Sequence, residues 1–193
     1  SRKGRKLPEK AYIESAQIAI GYKDTAHLRV AIPNLDSLLM WYGPHPEAYY
    51  WQNQIAAGFV DQISSPKDKE PWVMVMAAYR DSLKQTCANS KIKANYRKGC
   101  QDFSDRCDST AVKYWRIYYN QGIEQLGTIE EASKEMKAEA DSTTKAYYKE
   151  KIMAAGDSAL FNVRLCIILD STDNRAYLLA GSVAEKQGNL SLS

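Results

Sequence analysis

Apolar residues recur three and four apart along nearly all of this 193-residue chain, and strict alternation of apolar with polar residues never lasts beyond a few positions. Only a helix returns a side chain to the same face at that interval, so the pattern predicts an all-α protein without strands. The periodic stretches cover 8–20, 24–42, 46–63, 70–88, 91–106, 110–125, 128–154, 156–169 and 173–187. Residues that start or stop helices fall between them. Asp24-Thr25 offers a side-chain cap, and Gly43-Pro44-His45-Pro46 must interrupt the ladder because proline has no amide hydrogen. Ser64-Ser65-Pro66 precedes Glu70-Pro71-Trp72, where proline suits a first helical turn. Asp108-Ser109-Thr110 and Gly127-Thr128-Ile129-Glu130-Glu131 predict two further starts, and the polar run Asp141-Ser142-Thr143-Thr144 a break in the charged 128–154 stretch. Pro33, inside the second stretch, predicts a kink or a delayed start.

A spaced aromatic and small-residue pattern is superimposed on these helices. Trp51, Trp115 and Tyr177 are followed seven positions later by Gly58, Gly122 and Ala184, and the three rings stand 64 and 62 residues apart. A large ring with a small residue two turns on suits a helix that a neighbour crosses closely, and the interval is about twice a common helix-pair repeat.

Two segments carry the pattern further. Gly156-Asp-Ser-Ala159, Cys166, the turn 168–177 and the helix Ala176-Tyr177-Leu-Leu-Ala-Gly181-Ser-Val-Ala184 with Gly188-Asn189 form one. Ala11-Tyr12, Ala16, Ala19 and Gly21-Tyr22-Lys23-Asp24-Thr25-Ala26, followed by Pro44-His45-Pro46-Glu47-Ala48-Tyr49, form the other. Both resemble the tetratricopeptide repeat (TPR) family in a divergent form, with Ser171 where that family usually has proline. The resemblance covers about half the chain and implies antiparallel helix pairs stacked as a short right-handed superhelix. It also implies a concave groove for a peptide or helix. The expected organisation is a basic tail over 1–7 and one TPR-like domain over 8–193, with an irregular middle at about 64–142.

Composition narrows the function. Hydrophobic residues make up 45% and charged residues 25%, with six prolines and ten glycines, an ordinary globular balance. Net charge is +3, yet Arg2, Lys3, Arg5 and Lys6 alone supply four positive charges, which leaves the rest close to neutral and reads as a solvated tail rather than a nucleic-acid surface. No stretch approaches the length of apolar run needed to span a bilayer, so membrane insertion is not expected. A short basic segment ahead of the first helix suits an exported protein or lipoprotein after removal of its leader. A periplasmic or outer-membrane-anchored setting is therefore favoured slightly over the cytoplasm.

Cysteine placement bears on the same question. Cys166 sits in an apolar run and reads as core; Cys100 and Cys107 on one helix would be about 10 Å apart along the axis, too far to bridge. Cys87 would reach either of them across a bend near Ser90 or Gly99. The spacings are not those of zinc knuckles, and neither metal nor cofactor is expected.

Chemistry-bearing motifs are missing from the sequence. It contains no Gly-x-Ser-x-Gly elbow, no phosphate-cradling Gly-x-x-x-x-Gly-Lys loop and no dinucleotide fingerprint, and His27 and His45 lack catalytic company. The expected function is a non-catalytic interaction module or assembly scaffold for a protein or peptide, with homo-oligomerisation compatible with it. Tyr50, Asn53, Trp115, Tyr119 and Asn120 are the residues assigned to its groove, because tyrosine and tryptophan join apolar faces to polar tips and asparagine can bond a peptide backbone. The competing reading is a carbohydrate-binding protein or carbohydrate-active enzyme with an aromatic cleft and two converging carboxylates.

Overall fold

A computed structural model of the chain describes residues 6–22 and 24–188, and all regular structure among them is helical. The elements are α1 (Glu9–Tyr22), α2 (Thr25–Tyr42), α3 (Pro46–Gln62), α4 (Pro66–Ala88), α5 (Ala94–Arg97), α6 (Cys100–Ala138), α7 (Ser142–Leu169) and α8 (Asn174–Gly188). Arg2, Lys3 and Arg5 of the expected tail, and Lys23 and Asn189 of the repeat match, lie outside the described residues.

The early helix ends follow the sequence signals. Asp24 caps α2 by accepting from the His27 amide at 2.9 Å, and Gly43, with φ of 79°, closes α2 with its N–H on the Leu39 carbonyl. α2 continues through Pro33, whose carbonyl accepts from the Ser37 hydroxyl at 2.7 Å. α4 starts at Pro66 rather than near residue 70 and carries Pro71 just past its first turn.

Later boundaries correct the expectations. α6 runs unbroken for 39 residues through both predicted starts. Its hydroxyls explain why: Ser109 and Thr110 turn back onto the Asp105 and Arg106 carbonyls at 2.8 and 2.9 Å, and Thr128 onto Glu124 at 3.2 Å, so none caps a new helix. α7 likewise runs through Gly156, where an added Cβ would lie 2.1 Å from the Gln187 side chain; the glycine serves close approach of α8, not a boundary. The break at 139–141 is present, with Asp141 capping α7 through the Thr144 amide at 2.7 Å.

The chain divides into two compact units, Ser1–Ala111 and Val112–Ser193. In the first, α1 packs on α2, α2 on α3, α3 on α4, and α1 also meets α3. Tyr12, Ala16, Leu28, Leu35, Leu38, Ile55 and Phe59 form its main core, and Phe59 stacks on Trp72 with ring centroids 3.9 Å apart. In the second, α7 packs on α8 and buries Ile152, Ala159, Val163, Leu165 and Leu169. Asp157 and Arg164 interrupt the apolar run of α7 in the sequence. The helix nevertheless contains a stretch long and apolar enough, by length and composition, to cross a membrane, and half of that stretch is buried inside the protein.

Two of the three small-residue positions sit at close crossings. A Cβ on Gly58 would lie 2.9 Å from Leu28, and one on Gly122 2.9 Å from Leu179. The third departs from the pattern: Ala184 and Tyr177 are exposed, because the buried stripe of α8 is Ala176, Leu179 and Val183. Truncating the centre of the first core, Phe59→Ala, should lower unfolding free energy by about 3–5 kcal/mol, measured as a shifted urea midpoint with unchanged slope.

Candidate functional site

A concavity lies in the first unit, and His45 sets one side of it. The Gly43-Pro44-His45-Pro46 turn delivers His45 to the N-cap of α3, where its Nδ1 accepts from the Ala48 amide at 3.4 Å. With Nδ1 accepting, the neutral imidazole carries its proton on Nε2, which faces Glu9 Oε2 of α1 at 3.8 Å. His45 is 5% exposed, and burial holds its pKa below the ordinary histidine value; Glu9 opposes that shift and Lys93 reinforces it.

Tyr96 of α5 completes this corner. Its ring lies tilted against His45, with centroids 4.3 Å apart, and its hydroxyl donates to Glu9 Oε1 at 2.6 Å. Lys93 Nζ donates to the same hydroxyl at 3.1 Å and stands 3.7 Å from the same carboxylate oxygen. Burial raises the pKa of the phenol, and Glu9 adds to the effect. The short segment bearing Tyr96 is closed at its base by a disulfide between Cys87, at the end of α4, and Cys100, at the start of α6, with Cα atoms 5.6 Å apart. Of the two pairings open to Cys87, the bridge goes to Cys100. Cys107 is free and buried with Tyr50 and Leu83.

These elements enclose an open cavity of about 500 Å³. Ile13, Pro46 and Phe103 supply apolar surface; Glu14, Gln17, Glu47 and Asn95 supply polar groups, with Glu14 paired to Lys10 at 3.4 Å and Glu47 accepting from the Trp51 indole at 3.3 Å. The lining contains no serine, threonine or cysteine, and its one histidine is engaged as a helix cap. The surface thus sets amide and carboxylate groups beside an apolar patch. Among the described residues, no group of three or more histidine, cysteine, aspartate or glutamate side chains is placed to hold a metal ion.

The residues assigned to a groove from the sequence divide between the two units. In the first, Tyr50 is buried, stacked on Phe103 at 5.0 Å, and Asn53 is buried with its amide donating to the Met76 carbonyl at 2.7 Å. Both serve internal packing there. In the second, Trp115 and Tyr119 are brought together as a stacked pair at 4.7 Å, with the Arg175 guanidinium 4.4 Å from the Trp115 ring, and Asn120 is exposed on the same helix. Asp173 holds that guanidinium through contacts of 2.6 and 3.0 Å. Glu9, Gln17, Asn95 and Tyr96 did not stand out in the sequence; the cysteines flanking Tyr96 were the available signal.

No protein-family model matches the chain, and no curated protein or solved structure matches it significantly.

A buried histidine with a lowered pKa makes stability depend on pH in a definite direction. The unfolded chain binds the His45 proton more readily than the folded one, so this contribution is fully present above the ordinary histidine pKa and is lost as pH falls below it. His45→Asn keeps a capping side chain but cannot titrate. Its urea midpoint relative to the parent should therefore improve between pH 7.5 and pH 5.5, and a constant difference would contradict the assignment.

Proposed function

We propose that this chain is a non-catalytic protein-interaction module or assembly scaffold that takes an extended segment of a protein partner into the cavity between α1, the start of α3 and the 95–103 segment. The observation that carries the reading is the cavity itself: about 500 Å³, part apolar, with amides and carboxylates beside the apolar surface and its histidine engaged in capping. Preformed surfaces of that composition bind by leaving only the incoming segment to lose conformational freedom. The packing order in the first unit, with α1 against both α2 and α3, supports helix pairs stacked in the tetratricopeptide manner.

A carbohydrate cleft has weaker support, because Tyr50 and Trp115 are buried in internal stacks. Gln17 is exposed at the cavity, so Gln17→Trp fills it without disturbing the core. Immobilised Gln17→Trp protein should lose at least one partner that the parent retains from native lysate. A Lys145→Trp control on α7 should retain it. Identical partner sets for all three proteins would overturn the assignment of the cavity.

A further inference from the structure

Between Cys87 and Cys100 the chain has little packing of its own. Tyr96 is the single buried residue over 88–99, and α5 is one turn long. Tyr96 also lines a second cavity of about 150 Å³, together with Tyr42, Pro44 and Thr86. A segment with so little buried surface opens easily unless something else restrains it. Tyr96 is held against α1 by its hydroxyl on Glu9 and against the start of α3 by its ring on His45, and the disulfide closes the segment that carries it at its base.

We propose that the Cys87–Cys100 disulfide is a redox latch on the cavity, and that its reduction by a dithiol frees the 88–99 segment and dismantles the wall made by Asn95 and Tyr96. This regulation rests on reading the cavity as the binding site. Cys87 is half-buried and Cys100 nearly covered, so the incoming thiolate attacks Cys87 Sγ. The Cys87–Cys100 bond breaks, and Cys100 leaves as a thiolate at the start of α6 and takes up a proton. The second thiol of the reductant then attacks the mixed disulfide, releases Cys87 as a thiol and leaves as the oxidised reductant. Two electrons pass to the protein. Cys107 and Cys166 take no part: both are fully buried, and burial pushes their pKa up to about 12.

His45 supplies a reporter that needs no ligand. Tyr96, Glu9 and Lys93 are the groups around its ring, and departure of Tyr96 admits water, so its titration midpoint should rise toward the ordinary histidine value. The chain has two histidines, and exposed His27, bonded to Asp24 at 2.6 Å, is the internal reference.

The experiment compares the oxidised 193-residue chain, the same chain reduced with dithiothreitol and a Cys87→Ser/Cys100→Ser variant, by amide hydrogen exchange and histidine NMR. Support is a rise of about tenfold or more in exchange over 88–99, with an upward His45 shift, unchanged His27 and unchanged exchange in α7. Unchanged exchange and His45 titration after mass spectrometry has confirmed four thiols would overturn the latch. So would loss of helicity throughout the reduced wild type, which would make the bridge a general staple. Should the serine variant fail to fold, the reduced wild type alone decides between these outcomes. A working latch in a protein whose Gln17→Trp variant keeps every partner would sink the binding reading and leave the latch standing.

Discussion

The hydrogen bond from Tyr96 to Glu9 joins positions 87 residues apart in sequence, and the cavity wall depends on it. On one side it fixes a segment whose short helix has no other buried side chain. On the other it gives a partly covered carboxylate a donor, so that Glu9 can lie beside a neutral His45 and the Lys93 ammonium without an unmatched charge in the wall. His45 is in place because Gly43 takes a positive φ, which sends the chain into the Pro44-His45-Pro46 turn and onto the start of α3. Backbone geometry at one glycine, a helix cap and a phenol thereby define one corner.

Polar side chains also specify the packing of the first unit. Gln52 donates to Asp36 at 2.8 Å and Asn53 to the Met76 carbonyl, tying α3 to α2 and to α4. Burial raises the pKa of Asp36, and Gln52 opposes the shift by bonding the carboxylate. Directional polar contacts of this kind, the Asn53 bond buried and the Gln52 bond partly so, favour one register between neighbouring helices, whereas apolar contacts alone tolerate sliding. An asparagine that looks suited to a partner's backbone can thus be taken up by the protein's own.

Helical character was legible in the sequence because the 3.6-residue period is a local property, and the caps at Asp24 and Asp141 are local as well. The small residues Gly58 and Gly122 were legible for the same reason, since each marks a neighbouring leucine at close range. Ser109, Thr110 and Thr128 misled because a hydroxyl that bonds the preceding turn has the same composition as one that caps the next. Tyr96 and Glu9 were illegible: no local pattern relates a tyrosine in a one-turn helix to a glutamate at the start of α1. The cysteines came nearest, because their spacing limited the partners of Cys87 to two.

A double-mutant cycle on Tyr96→Phe and Glu9→Gln is the most direct measurement of whether this contact holds the wall. Urea unfolding of the parent, the two single variants and the double variant isolates the pairwise energy. A coupling of about 0.5–3 kcal/mol is expected, accompanied by faster amide exchange over 88–99 in each single variant. Strict additivity with unchanged exchange would mean that the two residues are neighbours without being partners, and that something else holds the wall.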